Sequence, residues 1–272
     1  MSTQERPDSS SSGDPAGLLA TATAPVRCIL VHGFNGEPVD MIELERALAK
    51  QGFRTTNMLL PGHGTTLQNF ASSRWEDWFA AVREEAATAL DRGERVILIG
   101  HSLGGALVLG VAAVEPRLSG VVPLCPPTSM HEGMRVAVSR LHRYLPYMPS
   151  WGEDVRDRWG ARKRYERKAY RWVALSTAHS LFGALPELRK ALPQVAVPAL
   201  IVAAHHDHVV PAQDGIDAYK LLGSREKDLL LLERSFHVVT KDVERDLVSA
   251  RVSEFCIRQR DRGKGLALGA RA

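Results

Sequence analysis

Cysteine is scarce in this 272-residue chain, and the three present, Cys28, Cys125 and Cys256, are odd in number and have no metal-ligand spacing. A disulfide framework or a zinc module built on them is therefore excluded. Cys28 and Cys125 fall in apolar, strand-like runs and Cys256 on a helical stretch, so buried thiols acting as small hydrophobes are expected. No apolar run approaches the ~20 residues of a membrane span. The first residues carry Glu5, Arg6, Asp8 and a serine run instead of a basic stretch followed by an apolar one. No secretory signal is expected, and the cytoplasm is the default location. Charge of one sign is also lacking, because 35 Lys and Arg stand against 31 Asp and Glu, for a net +4. The small excess lies mostly between Arg135 and Arg171 and in the C-terminal tail. No recognisable nucleic-acid motif accompanies it, so a solvated basic face is expected and a nucleic-acid partner is not.

What is present is the stretch Val96 to Gly105. Val96 to Ile99 is a short β-branched run that reads as a buried strand. Gly100-His101-Ser102-Leu103-Gly104 is a G-x-S-x-G turn, and Gly105 to Ala113 reads as a buried helix stopping at Pro116. Strand, tight turn and helix together make a nucleophile elbow rather than a chance Gly-Ser turn. The turn forces the serine into a strained conformation, and glycines at 100 and 104 leave room for strand and helix to approach. Ser102 then stands at a helix N-terminus, where N–H groups favour developing negative charge.

The size and a hydrophobic content of 44% fit one α/β domain with a small insertion. Met1 to Pro25 is rich in Ser, Pro and Gly and is expected to be disordered (1–25). Six strands are predicted: Val26–Val31, Phe53–Leu60, Val96–Ile99, Leu118–Cys125, Val197–Ala204 and Asp228–Leu232. Helices are predicted over Glu37–Gln51, Trp75–Asp91, Pro211–Leu222 and Asp242–Arg258. Strands alternating with helices imply a mostly parallel sheet of about six or seven strands with helices on both faces. The core comprises 26–127 and 186–259. From Thr128 to Leu185 strand-like runs disappear, and arginines interleave with Tyr144, Tyr147, Trp151, Trp159, Tyr165, Tyr170 and Trp172. A helical cap over 128–185, with short helices broken at Pro146 and Pro149, is expected in preference to an RNA surface. Residues 260–272 read as a loose basic tail.

A serine hydroxyl needs a histidine to take its proton and a carboxylate to orient that histidine. Asp207 follows the strand ending Ala203-Ala204, and His237 follows the strand ending Leu232-Glu233. Ser, Asp, His is the chain order expected after a G-x-S-x-G elbow. Asp214 and Asp217 fall inside the next helix, farther from the sheet edge. His205-His206-Asp207-His208 suggests a metal, but adjacent residues on an extended segment point apart and no second ligand cluster exists, so no metal or cofactor is expected. The backbone N–H groups of Leu103 and Phe34 are the candidate oxyanion donors. His32 and Gly33 shape the turn beside Phe34, and His101 is expected to be packed or hydrogen-bonded, pointing away from the serine. Met130, Leu181, Phe182 and Leu185 are candidate acyl-pocket residues.

His32-Gly33-Phe34-Asn35-Gly36, Pro61-Gly62-His63-Gly64, the elbow, Asp207-His208-Val209-Val210-Pro211 and Ser235-Phe236-His237-Val238-Val239-Thr240-Lys241-Asp242 together resemble the α/β-hydrolase superfamily. Within it they resemble the bacterial carboxylesterases and monoacylglycerol lipases with a small helical cap. The resemblance runs from about Val26 to Arg258; the Ser-rich extension, basic tail and Arg-rich cap depart from it. It implies Ser102 as nucleophile, Asp207 and His237 as partners, and Phe34 and Leu103 as oxyanion donors. The implied activity is hydrolysis of short- to medium-chain acyl esters or monoacylglycerols through an acyl-enzyme, with no cofactor. An acyltransferase or thioesterase on the same triad is the alternative, and a non-catalytic binding protein of this fold a further one. The implied partner is a small-molecule ester; the charged cap rim also suits transient contact with a membrane surface, and a monomer is the default.

Overall fold

In a computed structural model the described residues are 24–150, 154–157 and 170–269, the last seven as backbone only. The expected disordered extension, up to residue 23, and Trp151, Trp159 and Tyr165 lie outside them. Six strands form one parallel sheet: β1 (Val26–Val31), β2 (Arg54–Met58), β3 (Arg95–His101), β4 (Gly120–Leu124), β7 (Ala199–Ala204) and β8 (Lys227–Leu232), in the order β2-β1-β3-β4-β7-β8. Each agrees with a predicted strand to within a few residues. Eight α-helices are described: α1 (Ile42–Lys50), α2 (Leu67–Ser72), α3 (Trp75–Asp91), α4 (Leu103–Val114), α5 (Glu132–Leu141), α6 (Leu175–Ala191), α7 (Ala212–Leu221) and α8 (Arg245–Gly269).

Successive side chains of a strand point to opposite faces, and the core follows that rule. Ile29, Val31, Val96, Leu98, Val121 and Ile201 join one apolar cluster with α3 and α4. Cys28, Leu30, Ile97, Ile99, Val122 and Val202 join a second cluster with α1 and α8. Apolar residues at every position therefore become strands buried on both faces, as a helix-covered parallel sheet requires. α3 buries the stripe Trp78, Val82, Ala86 and Ala89, while α4 is buried all round from Leu103 to Ala112.

The chain runs from β1 outward to β2, then returns past β1 to β3 and continues the other way. The reversal lies between the neighbours β1 and β3, paired from Val26↔Arg95 to Val31↔Gly100. Loops leaving the carboxyl ends of two strands at such a switch point diverge and open a crevice. Phe34 follows β1 there and Ser102 follows β3.

Four readings of the sequence are corrected. The insertion holds a two-stranded antiparallel pair, β5 (Tyr147–Pro149) with β6 (Trp172–Ala174), where strands were expected to disappear. α6 runs unbroken through the core boundary set at residue 186, despite Pro186. Leu181, Leu185 and Leu188 lock this helix into the first cluster, so the one bond Pro186 removes is tolerated. α2 was not foreseen; Thr66 caps it, its hydroxyl accepting from the Asn69 N–H at 3.2 Å. The last helix continues to Gly269, past Arg258, where a loose tail was expected.

Candidate active site

β3 ends at His101 and α4 begins at Leu103, so Ser102 occupies the turn with φ 54° and ψ −118°. A non-glycine residue there stores about 1–3 kcal/mol of strain. The glycines on either side explain how the turn closes. A Cβ on Gly100 would lie 2.1 Å from the Gly104 carbonyl oxygen, and one on Gly104 would lie 2.2 Å from that of Val31. Ser102 is pinned on both sides of its peptide, its N–H donating to the Leu124 carbonyl (2.8 Å) and its carbonyl accepting from Ala106 (3.0 Å).

The two partners expected from other strands arrive at this turn. His237 Nε2 lies 2.9 Å from Ser102 Oγ, and His237 Nδ1 lies 2.7 Å from Asp207 Oδ2. A carboxylate only accepts, so Nδ1 carries the proton and Nε2 is left to accept the serine O–H. The second Asp207 oxygen accepts the N–H groups of Val209 and Val210, both at 2.8 Å. Burial pushes the Asp207 carboxyl up, but the hydrogen bond and charge of His237, with those two N–H bonds, hold it below its usual range. It therefore stays ionised and can orient and stabilise an imidazolium.

The loop carrying His237 is fixed by polar groups from both near and distant parts of the chain. His101 Nε2 donates to the His237 carbonyl at 2.9 Å. Burial, then the neighbouring His237, push the His101 pKa down to about 4, so this donor ring is neutral at pH 7. The Asp242 carboxylate accepts the Phe236 N–H at 2.7 Å. Lys241 reaches back to Asp40 at 2.6 Å with both side chains buried, and the Thr240 hydroxyl donates to the Asp40 carbonyl at 2.6 Å. Glu244 receives the N–H (2.7 Å) and hydroxyl (2.8 Å) of Ser235.

The loop after β1 is held by two histidines. The Leu60 N–H donates to His32 Nε2 (3.1 Å), so His32 Nδ1 carries the proton and donates to the Gly33 carbonyl at 2.9 Å. The same carbonyl accepts the Gly36 N–H at 3.0 Å. In a trans peptide the C=O and N–H point in opposite directions, so anchoring the Gly33 carbonyl fixes where the Phe34 N–H points. His63 Nε2 donates to the Phe34 carbonyl at 2.6 Å, fixing the next peptide. Gly33 lies against the serine, for a Cβ there would meet Ser102 Cβ at 3.2 Å. The Leu103 N–H is the first of α4, one of the groups without an intrahelical acceptor.

Ser102, Asp207 and His237, expected from motif order alone, thus converge, with the Phe34 and Leu103 peptides beside them. Asp214 instead accepts the backbone of Thr128 and Ser129 (2.8 and 2.9 Å), and Asp217 pairs with Arg189. Leu181 and Leu185 are buried inside the first apolar cluster, whereas Met130 and Phe182 are only partly buried against it. The three cysteines are free and buried, as expected. Cys125 carries more than that reading: it has φ 46° and lies beside the triad, its sulfur within 4.8 Å of Asp207 and His237 ligand atoms. Burial, then the charge and hydrogen bond of Asp207, push its pKa well up. A thiol kept protonated donates to the carboxylate. Its position at the carboxyl end of a central strand was the signal that could have singled it out.

Several known proteins are similar to this chain over most of its length. A thermostable monoacylglycerol lipase from Bacillus sp. (strain H-257) is 30% identical over 234 residues, 85% of this chain and 90% of the relative. A carboxylesterase from Bacillus subtilis (strain 168) is 27% identical, covering 84% of this chain and 90% of its own. A solved structure described as LipS and LipT, two metagenome-derived lipolytic enzymes, is 30% identical and superposes with a TM-score of 0.80 over 87% of this chain and 95% of the other. Monoacylglycerol lipase from Paleococcus ferrophilus, 20% identical with a TM-score of 0.75 over 87% of this chain and 96% of its own, shares the fold. Residues 23–244 match the family described as serine aminopeptidase, S33, and on that match the chain belongs to this family of α/β-hydrolases.

Proposed function

We propose that the protein is a serine carboxylic-ester hydrolase acting on short- to medium-chain acyl esters or monoacylglycerols. The observation that carries this reading is the continuous relay from Ser102 Oγ through His237 to Asp207, at 2.9 and 2.7 Å, at the switch point of a parallel sheet. The names of the two Bacillus relatives support the substrate class. Ser102 Oγ attacks the ester carbonyl carbon as His237 Nε2 takes its proton. The N–H groups of Phe34 and Leu103 hold the oxyanion, and Asp207 steadies the imidazolium. The tetrahedral intermediate collapses, the alcohol leaves with the proton from His237, and an acyl-serine remains. Water deprotonated by Nε2 then attacks the acyl carbon and releases the acid. Met130 and Phe182, which keep accessible surface, line the acyl site, with Leu181 and Leu185 forming its buried wall.

The chain acts as a cytoplasmic monomer that touches lipid surfaces transiently, without a nucleic-acid partner. Met134, Leu141, Tyr144 and Leu145 expose apolar surface at α5 and just after it, next to the exposed Arg140 and Arg143, a combination suited to an anionic interface. Flotation with vesicles containing anionic lipid, compared with neutral ones, tests that part. The central test is turnover of chromogenic acyl esters and monoacylglycerols of increasing chain length by the wild type and Ser102→Ala. Undiminished turnover in the variant rejects the nucleophile. Preferential transfer to an added alcohol or thiol would assign an acyltransferase instead, and faster hydrolysis of a thioester than of its oxygen ester a thioesterase.

A further inference from the structure

The loops bearing Asp207 and His237 leave adjacent strands, yet one side chain from the cap insertion reaches both. The segment 154–157, between β5 and β6, lies across them. Asp154 Oδ2 accepts the backbone N–H of His208 at 3.1 Å and that of His237 itself at 3.2 Å. Its Oδ1 lies 2.9 Å from His208 Nδ1, and its carbonyl accepts the Val238 N–H at 3.1 Å. The neighbouring residues extend the contact. The Arg156 N–H donates to Asp242, which also holds the Phe236 N–H, and the Arg156 guanidinium sits 5.0 Å over the Phe236 ring. Val155 is buried against Val238.

One carboxylate thus bonds the residue after the acid and the backbone of the base. We propose that Asp154 is a positioning residue for the triad, acting through the backbone of His237 and His208. It sets the 2.9 and 2.7 Å distances of the relay and makes catalysis depend on the seating of the cap. The side chain of Asp154 is 13% exposed, so these bonds are largely shielded from water. That of His208 is 62% exposed, and its pairing with Asp154 contributes little. The bond that matters is the one to the His237 N–H, because a displacement of about 1 Å at a reacting group lowers rate roughly 100-fold.

This inference rests on the hydrolase reading, and the two fail differently. If the wild type shows no Ser102-dependent ester hydrolysis, the hydrolase reading falls. If it does, Asp154 is tested on a short soluble nitrophenyl ester, with folding checked by circular dichroism. Asp154→Ala is expected to lower kcat roughly 10- to 100-fold while KM changes less than about threefold. Asp154→Asn keeps one acceptor oxygen and should restore part of the loss, remaining about 3- to 10-fold below wild type. His208→Ala should stay within about twofold. In proton NMR the far-downfield His237 Nδ1–H resonance should persist in the Asn variant and broaden in the Ala variant. A kcat within twofold of wild type in Asp154→Ala, or a loss confined to KM, overturns the proposal. Should the Ala variant not fold, the Asn variant decides, and wild-type kcat there overturns it equally.

Discussion

Ser102 and His237 meet at one hydrogen bond, but the two regions that deliver them are built differently. The elbow is set by contact. A buried strand, a buried helix and two glycines, all between Val96 and Val114, leave a single way for the chain to turn against the Val31 carbonyl. The loop around His237 is set by charge and hydrogen bonding. Beside the nearby Asp242 and Glu244, its fixings come from Asp40, His101 and Asp154, which lie 201, 136 and 83 positions away from the residues they bind. A nucleophile needs a rigid, strained seat, which close packing supplies. A base that must take and return a proton needs its ring oriented while the loop stays polar, which buried donors and acceptors supply.

The contrast can be broken at several points. The largest effect should fall on turnover: Ser102→Ala is expected to reduce it by roughly four orders of magnitude or more without a fall in melting temperature. Calorimetry should show the variant at least as stable, because the strained serine contributes nothing to holding the turn. In the contact-built half, Gly104→Ala puts a methyl into the Val31 carbonyl and should destabilise by about 3 kcal/mol or more, the upper range for overpacking. Urea unfolding measures it, and a stable, active variant would show that the elbow relaxes more readily than its packing implies.

In the charge-built half, Lys241→Met leaves Asp40 buried without its ammonium and should cost about 3–5 kcal/mol. The double change with Asp40→Leu should recover much of that loss, whereas steric damage would not be rescued. His101 provides a pH signature. Its folded pKa of about 4 lies below the ordinary 6.5, so an unfolded chain takes up a proton at pH values where the folded one does not. That stabilisation is complete above pH 6.5 and is lost as pH falls toward 4, by on the order of 3 kcal/mol. His101→Gln keeps a side-chain donor for the His237 carbonyl and should flatten the stability profile over this window. The further fall below pH 4, to which the depressed Asp207 contributes, should remain. The smallest effect, about 0–1 kcal/mol, is expected for Arg258→Ala, whose pairing with Asp228 at 2.8 Å is half exposed on both sides.

Legibility followed the same division. The six strands, the helix Trp75–Asp91 and the elbow could be read directly, because apolar periodicity and glycine spacing are local properties. Asp207 and His237 could be chosen because each follows a strand in the order a G-x-S-x-G elbow demands. The unbroken α6 was missed because the pattern up to Leu185 was read apart from the core that follows it, and only the burial of Leu181, Leu185 and Leu188 in one shared cluster joins the two. The β5–β6 pair was missed because strands of three residues leave no pattern to count.

From the amino-acid order alone came an α/β sheet with a strained serine at a strand end, and two candidate partners at other strand ends. Those are matters of local sterics and hydrophobic alternation, which neighbouring residues encode. Which carboxylate faces the histidine, that Cys125 backs the acid, that Asp40 holds Lys241 and that Asp154 bridges both loops were decided by the folded chain. Each of these is a polar contact across 30 residues or more, and such a pairing is specified by where the sheet brings loops together, not by any spacing along the chain.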